Sequence, residues 1–439
     1  MRVARISWLL LGGLLVLSAC GQREAPLEGE RLDLRADLSG ENAVEEVAID
    51  YGPAALPPQV TSQSWTHVGG APSHLMQHQT LSASPTRIWS ASIGQGNSRR
   101  NRISADPVLD AGRVFAMDSQ SLVTAVSTSG AVIWSTDLTP ARDQSTDASG
   151  GGLAATGGRV FATTGFGEVV ALDATNGDEI WRQDIEAAAS GAPTVSNGVV
   201  YAIGRDGIAW AINAATGRVE WTAAAIVDGP GVLGGAAPAV AGDFVYLPFR
   251  TGQISAARIE NGQGAWVSRL SGQRLGFPTA LISDLLGDPV VSGGVLYAGS
   301  HSGRSAAIDT ATGQQIWSAD EGAMNAPVVT ANSVFQVTDR NALVRLDAAT
   351  GETVWLTELP LYSANRERRR KDFFAHFGPV LAGGRLWVAS DDDLLRAFDP
   401  DTGAQVGQVD LPSAATASPI VVGSTLYIVT ANGQIHAFR

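Results

Sequence analysis

The sequence predicts an all-β protein, an eight-bladed β-propeller built from four-stranded blades. A strand–turn–strand unit that ends in tryptophan recurs along the chain, and no long amphipathic helical pattern accompanies it. The 439 residues include 50 Gly and 20 Pro, which suits a fold with many tight turns. Repeats of about 40–50 residues that contain several short strands are typical of propellers.

The clearest copy of the unit runs from Ser305 to Trp317. Asp309 and Thr312 are turn residues whose side chains can bond nearby backbone N–H groups, and Gly313 tolerates the positive φ of such a turn. The large ring of Trp317 can then pack against a neighbouring unit. Gly407 stands where a further tryptophan is expected, and the spacing ranges from 38 residues (317 to 355) to 52 (355 to 407). The tryptophans that close the units are Trp89, Trp134, Trp181, Trp221, Trp266, Trp317 and Trp355.

A second marker, a small residue or Asp followed by Pro, precedes the first strand of most units. Asp106-Pro107, Ala192-Pro193 and Asp288-Pro289 are examples. Proline fits the first residue of a strand, where no ladder hydrogen bond is needed. A turn, two further strands and the tryptophan strand follow, so that each unit predicts one four-stranded blade.

The two ends of the repeat array predict how the ring closes. Arg87-Ile88-Trp89 matches the last strand of a blade, but no blade precedes it. The C-terminal residues 434–439 match a third strand, and the chain stops where the next turn would begin. The N-terminal strand is therefore expected to complete the C-terminal blade, which leaves no open edge.

The segment before the repeats predicts an exported lipoprotein. Arg2 and Arg5 precede an apolar run too short to span a membrane comfortably. Leu17-Ser18-Ala19-Cys20-Gly21 resembles a bacterial lipobox, and the alternative is an ordinary signal peptide with a chance cysteine. The expected organisation is a signal peptide at 1–19, a lipidated N-terminus at Cys20 with a tether to residue 64, and the propeller at 65–439. Gly21 favours the outer membrane by the usual sorting rule.

Charge and composition limit the other possibilities. The net charge of −13 disfavours nucleic-acid binding, and a single cysteine excludes an internal disulfide or a cysteine-based metal site. His67, His74 and His78 lie close together and are expected to be packing residues, with a metal site as the alternative. The basic run Arg366–Lys371 is expected to be a solvated loop, or a docking loop for an acidic partner or anionic lipid headgroups.

The repeat Ala-x-Asp-x-x-Thr-Gly-x-x-x-Trp resembles the tryptophan-docking motif of pyrroloquinoline quinone (PQQ) dehydrogenases. That family implies a vicinal cysteine pair, and it also implies long central insertions that carry a Ca²⁺ site and a catalytic Asp. This chain has one cysteine and no evident insertions of that kind. The sequence therefore predicts no catalytic residue, no cofactor and no metal.

Lipobox, tether and propeller together resemble the BamB family, lipoproteins of the outer-membrane β-barrel assembly (BAM) machine. The resemblance implies a non-enzymatic protein at the periplasmic face of the outer membrane. Its implied partners are the POTRA domains of BamA, other subunits of the complex and unfolded outer-membrane proteins. The alternatives are a propeller lipoprotein that binds polysaccharide, peptidoglycan or another envelope protein, and a PQQ-dependent dehydrogenase.

In that family, two neighbouring inter-blade loops grip BamA. Leu233 stands where the family has Arg, and Leu286 where it has Asp, so the polar contacts are only partly retained. The alternative is that these residues fill the gap between blades. The positions that the resemblance assigns to partner binding are Val232, Leu233, Gly234, Asp284, Leu285 and Leu286.

Overall fold

The structure, a computed structural model, describes residues 51–225, 235–270, 285–363 and 372–439. These ranges contain 32 strands and one three-residue 3-10 helix, Val68–Gly70. The strands form eight four-stranded sheets, which confirms the predicted eight-bladed β-propeller. Within the described ranges, no helix has the length and apolar character needed to span a membrane.

The first four blades are antiparallel meanders in chain order. Blade 1 has β2 (Val108–Asp110), β3 (Arg113–Met117), β4 (Leu122–Ser127) and β5 (Val132–Asp137); blade 2 has β6 (Gly151–Thr156), β7 (Arg159–Thr164), β8 (Glu168–Asp173) and β9 (Glu179–Asp184); blade 3 has β10 (Thr194–Ser196), β11 (Val199–Ile203), β12 (Ile208–Asn213) and β13 (Val219–Ala224); blade 4 has β14 (Ala239–Ala241), β15 (Phe244–Phe249), β16 (Gln253–Arg258) and β17 (Gly264–Arg269).

The remaining blades follow the same order, except that the last one recruits β1 from the N-terminal side. Blade 5 has β18 (Leu285–Ser292), β19 (Val295–Ser300), β20 (Arg304–Asp309) and β21 (Gln315–Ala319); blade 6 has β22 (Val328–Val329), β23 (Ser333–Val337), β24 (Ala342–Asp347) and β25 (Thr353–Glu358); blade 7 has β26 (His376–Ala382), β27 (Arg385–Ser390), β28 (Leu394–Phe398) and β29 (Gln405–Asp410); blade 8 has β30 (Ile420–Val422), β31 (Thr425–Thr430), β32 (Gln434–Phe438) and β1 (Arg87–Ser92).

The pairing of β1 with β32 closes the ring as the sequence predicts. Trp89 lies opposite Ala437, and Ser90 lies opposite His436. Beyond the strand ends, the N–H of Thr86 donates to the carbonyl of Arg439 at 2.8 Å, and the reciprocal bond is 2.9 Å long. The seam therefore leaves neither β1 nor β32 with a missing neighbour inside blade 8.

Seven joints between blades use the tryptophans that the sequence singles out. At one of them, the indole N–H of Trp317 in blade 5 donates to the carbonyl of Ala348 in blade 6 at 2.9 Å. A Cβ atom at Gly351 of that turn would lie inside van der Waals contact with the same indole, so the ring packs directly on the glycine. The corresponding indole-to-carbonyl pairs are Trp89–Thr128, Trp134–Ala174, Trp181–Ala214, Trp221–Ile259, Trp266–Thr310, Trp317–Ala348 and Trp355–Pro400.

The joint between blades 7 and 8 is different, because β32 and β1 are not joined by a turn. Gly407 occupies the tryptophan position there, opposite Ala397 of β28. The guanidinium of Arg385 lies 3.3 Å from the position of a Cβ at Gly407 and donates to the carbonyl of Ala83 at 2.8 Å. A tryptophan at 407 would have no glycine turn to pack on. The side chain of Arg385 joins the two blades at this place instead.

The ring has two distinct faces. We call the end where each fourth strand leads to the next blade the loop face, and the opposite end, where the Asp/Thr/Gly turns lie, the turn face. The first strands of neighbouring blades contact one another around the axis, and the fourth strands form the outer edge. The fourth strands carry exposed apolar residues such as Ile133 and Ile316, at 44% and 51% exposure.

Residues 60–80, which we call the plug, cross the channel at the turn face. Their backbone pairs with first strands all around the ring. Representative hydrogen bonds join Trp65 to Leu109, Thr66 to Ala155, Pro72 to Val240, Ser73 to Val291 and Gln79 to Leu381.

The stretch just before the plug also contacts the ring. Tyr51 donates to Glu352, and the N–H groups of Ala54 and Ala55 donate to the side chains of Asp401 and Asn332 at 2.6 and 2.8 Å. The compact unit that contains the propeller begins at Tyr51. The part of the predicted tether from residue 51 to 64 therefore lies against the turn face.

Candidate functional site

The loop face opens into the central channel through a cavity of about 460 Å³. Small residues form much of its wall, and Leu286, Met324 and Phe377 add apolar surface. At the turn face the plug closes the channel, and a void of about 20 Å³ remains between Trp65 and the narrowest part of the ring. The channel is thus a blind funnel that is accessible from the loop face.

Three histidines belong to the plug and act as packing residues. His74 is fully buried, with Nδ1 2.9 Å from the Pro289 carbonyl, and the Nε2 of His67 accepts the N–H of Val195 at 3.1 Å. Burial lowers the pKa of His67 to about 3 and that of His74 to about 4, so both rings are neutral at physiological pH. His78, the third, is 4% exposed. In the described part of the chain, no group of three or more His, Cys, Asp or Glu side chains could hold a metal ion.

Two carboxylates mark the narrowest part of the channel. Asp106 of blade 1 accepts the N–H of Ser418 at 2.7 Å, and Asp288 of blade 5 accepts the N–H of Ala237 at 2.7 Å. Burial raises the pKa of Asp106 to about 6 and that of Asp288 to about 7, and the Asp106 charge adds to the rise at Asp288. In the sequence both residues stand out only as markers of a first strand; the signal that could have identified them is a charge where the other blades have Ala, Gly or Ser.

The residues predicted to bind a partner fall into two groups. Val232, Leu233, Gly234 and Asp284 lie outside the described residues. Leu286 is partly exposed and lines the cavity at the loop face.

Leu285 lies in the hydrophobic core rather than on a contact surface. It is 3% exposed and belongs to a buried cluster that includes Tyr246 and Leu296 of blades 4 and 5. The sequence left open the alternative that these residues fill the gap between blades, and the side chain of Leu285 lies in that gap. The reason is that β18 begins at Leu285, so alternation along the strand turns Leu285 inward and Leu286 toward the cavity.

The described ends of the two predicted partner-binding loops meet at the loop face. The N–H of Ala236, after the first loop, donates to the carbonyl of Leu285, after the second, at 3.2 Å. One residue later, Ala237 donates to Asp288 as described above. Because their ends are hydrogen-bonded to each other, the two loops join the ring side by side.

A third loop joins the ring at the same face, between blades 6 and 7. Tyr362 pairs with Phe373 across its base, with ring centroids 5.2 Å apart, and Phe373 is 62% exposed. The side-chain amide of Asn341 holds the Phe374 carbonyl at 2.6 Å. The basic run Arg366–Lys371 lies outside the described residues, as does Cys20 with the predicted signal peptide.

Comparison with known sequences gives one family across most of the ring. The model of the family described as outer membrane protein assembly factor BamB matches residues 119–357 and 365–439. BamB of Yersinia pestis is 30% identical over 361 residues, which cover 81% of this chain and 89% of that protein. BamB of Escherichia coli (strain K12) is 27% identical over 360 residues, covering 80% and 88%.

Solved structures agree on the fold. BamB from Moraxella catarrhalis superimposes with a TM-score of 0.65 at 21% identity, covering 81% of this chain and 98% of that one. Quinohemoprotein alcohol dehydrogenase from Comamonas testosteroni also reaches 0.65, at 15% identity, with coverage of 86% and 81%. At these identities the similarity concerns the architecture alone.

Proposed function

The chain belongs to the BamB family of outer membrane protein assembly factors, and on this premise we propose that it is a non-catalytic scaffold of the outer-membrane β-barrel assembly complex. It aids the assembly and insertion of β-barrel proteins into the outer membrane. The observation that carries the proposal is the family match, which runs from blade 1 through the C-terminal strand. The 30% identical relative, named as an assembly factor, supports the same role.

The partner in this proposal is a POTRA domain of BamA, bound at the loop face by the loops between blades 3 and 4 and between blades 4 and 5. Two features of the described residues support this choice. The loop ends are hydrogen-bonded to each other through Ala236 and Leu285, so one partner domain can contact both loops. The plug and residues 51–64 make their contacts at the turn face rather than at the loop face.

The proposed non-enzymatic role fits the chemistry at the funnel. A quinoprotein dehydrogenase would need its vicinal cysteine pair beside the cofactor, and Cys20 is the single cysteine of the chain. Asp106 and Asp288 stand at the bottom of the funnel among small residues, with the plug beneath them. This arrangement offers no pair of groups for the redox chemistry of that enzyme class.

Anchoring at the outer membrane completes the proposal. Cys20 carries the lipid, and the following residues form a tether that meets the ring at Tyr51. Tyr51 contacts Glu352 near a turn of blade 6, so the anchored chain reaches the ring at its turn face. The described chain therefore enters the ring at the turn face, whereas the proposed partner surface is at the loop face.

The test is co-purification of the full-length lipoprotein with BamA from gently extracted membranes. The variant Leu233→Asp/Asp284→Lys places charge in both loops and is expected to reduce BamA recovery at least tenfold. Glu260→Lys is the matched control, because Glu260 is exposed in a turn of blade 4 at the turn face. Unchanged recovery with the loop variant, or equal loss with both variants, would contradict the interface, and recovery of no assembly subunit by the wild type would overturn the scaffold role.

A further inference from the structure

The two channel aspartates occupy the same position in two opposite blades. In every blade this position lies two residues before the first-strand residue that pairs with a second-strand aromatic, as Val108 pairs with Phe115 and Val290 with Tyr297. We call this ring of eight positions the waist. Apart from Asp106 and Asp288, the residues at the waist are Gly152, Ala192, Ala237, Ala326, Gly378 and Ser418.

The positions of the two carboxylates bring them face to face. Blades 1 and 5 are four steps apart in a ring of eight, so Asp106 and Asp288 project from opposite sides of the axis. Both residues line the open cavity above the waist and the small void below it. Neighbouring waist positions pack closely, since a Cβ at Gly152 would lie 2.5 Å from that of Ala192.

The contact between neighbouring blades does not explain why carboxylates stand at these two positions. Each accepts one backbone N–H from the preceding blade, but the other six waist positions join their blades without a carboxylate. Throughout the described ranges, no Lys, Arg or His side chain forms an ion pair with Asp106 or Asp288. Two part-buried carboxylates that face each other repel, and a bound cation removes that cost.

A further polar group in the wall lacks a partner. Ser190 is 4% exposed, lines the same cavity, and its Oγ makes no hydrogen bond. A hydroxyl oxygen can accept a hydrogen bond from a cationic donor. Among the described residues, the other charged side chains at the cavity are Arg102, which is exposed, and Asp391, whose carboxylate accepts the Ala375 N–H at 2.9 Å.

We propose that the funnel binds a basic peptide side chain, with its ammonium or guanidinium group held between Asp106 and Asp288 and its aliphatic stem against Phe377 and Met324. The cavity of about 460 Å³ is in the range of ligand sites, which are mostly apolar with a few convergent polar groups. A metal ion fits less well. Calcium takes six to eight oxygen ligands, whereas the waist offers two carboxylates. The inference concerns the channel and does not depend on the proposed BamA interface.

The test uses the full-length lipoprotein in detergent and isothermal titration calorimetry. The probes are the capped tripeptides Gly-Arg-Gly and Gly-Lys-Gly, the neutral Gly-Gln-Gly, n-butylamine and calcium chloride. The basic peptides are expected to bind at one site at pH 8, and at least tenfold more weakly at pH 5, where more of the carboxyls are protonated. The neutral peptide is expected not to bind.

Variants locate the site without removing the hydrogen bonds to the neighbouring blades. Asp106→Asn and Asp288→Asn keep an oxygen that accepts the backbone N–H, and each is expected to weaken binding of the basic peptides at least tenfold. Asp391→Asn makes the same charge change at the cavity rim and is expected to weaken it less than threefold. Melting temperatures that are at or above that of the wild type establish that each variant is folded.

Four results would overturn the proposal. They are absence of binding by the basic peptides, equal binding of the neutral peptide, equal effects of all three variants, and saturable calcium binding that Asp288→Asn abolishes. Tighter binding of n-butylamine than of Gly-Lys-Gly would assign the site to a free amine and would overturn the choice of a peptide side chain.

Discussion

Replacing Trp317 with alanine tests whether the indole joints hold the ring together. The indole is 8% exposed, donates to the Ala348 carbonyl at 2.9 Å, and lies 6.1 Å from the Tyr297 ring, centroid to centroid. The substitution removes the apolar contact and the hydrogen bond between blades 5 and 6 together. It leaves a cavity at a joint where the backbone of the turn is already fixed.

The expected loss can be estimated from burial. An aromatic side chain buries about 150–250 Å², which at about 25 cal/mol per Å² corresponds to about 4–6 kcal/mol. Part of this is recovered as the site relaxes, and measured Phe or Trp to Ala losses in cores are about 3–5 kcal/mol. We therefore expect Trp317→Ala to lower the free energy of unfolding by about 3–5 kcal/mol.

The assay is equilibrium unfolding in urea followed by far-ultraviolet circular dichroism, because the 11 tryptophans make fluorescence hard to assign. Ile316→Ala is the matched control, since Ile316 adjoins Trp317 in β21 but is 51% exposed. The control is expected to change the free energy of unfolding by less than about 1 kcal/mol. A loss in Trp317→Ala no larger than in the control would refute the role of the indole.

A double-mutant cycle with Gly351 tests the contact itself. Gly351 has φ of 77°, and an added Cβ would collide with the indole of Trp317. Gly351→Ala is therefore expected to suffer both backbone strain and displacement of the ring, but only the strain should remain once Trp317 is alanine. We expect a coupling of at least about 1 kcal/mol between the two substitutions. Additive losses would show that the ring does not pack on this turn.

Three further predictions concern the waist, the seam and the anchor. Burial holds the pKa of Asp288 at about 7, above its ordinary value of 3.8, so the folded protein keeps a proton that the unfolded chain releases between those pH values. This group therefore lowers the free energy of unfolding as the pH rises, and Asp288→Asn should gain stability relative to wild type at pH 8 but not at pH 4, as measured by thermal unfolding. Arg385→Ala should lower the free energy of unfolding by about 1–2 kcal/mol in the urea assay, because its hydrogen bond joins blade 7 to the strand that completes blade 8. Arg159→Ala should cost less, because Arg159 shares the Ala214 carbonyl with a tryptophan. Equal losses would contradict this view of the seam. Cys20→Ala should move the protein from the membrane fraction to the soluble periplasmic fraction, and retention in the membrane would argue against a lipid anchor at that residue.

The architecture could be predicted from the sequence because each blade is specified locally. The Asp and Thr side chains of a turn, its glycine and the following tryptophan lie within about a dozen residues, so one copy such as Ser305–Trp317 contains most of the pattern. The closure was also predictable, because the unpaired strand at Arg87–Ser92 matches the strand missing after residues 434–438. Gly407 then has a physical reason, since the seam has no turn for an indole to cover.

The channel features could not be predicted in this way, because they depend on contacts between distant segments. His74 lies beside Pro289, and nothing in the sequence near either residue indicates that the chain crosses the channel there. Asp106 and Asp288 are far apart in the sequence and come to face each other only because the eight blades close into a ring. Leu285 is buried because the first strand of blade 5, β18, is eight residues long and begins at that residue. The first strand of blade 1, β2, is only three residues long, so the repeat does not predict the longer strand.

The pairing of β1 with β32 also sets an order of events during folding. Ser90 and His436, 346 positions apart, are joined by a 2.7 Å side-chain contact across the seam. A polypeptide is synthesised from its N-terminal end, so β1 must wait for β32 to arrive while the blades between them form. Until then its edge is open to other chains, and unpaired edges are templates for association. Closing so long a segment adds little entropy cost, since that cost grows only with the logarithm of length. The arrival of β32 therefore seals the molecule, and a chain that lacks β32 leaves β1 without a partner.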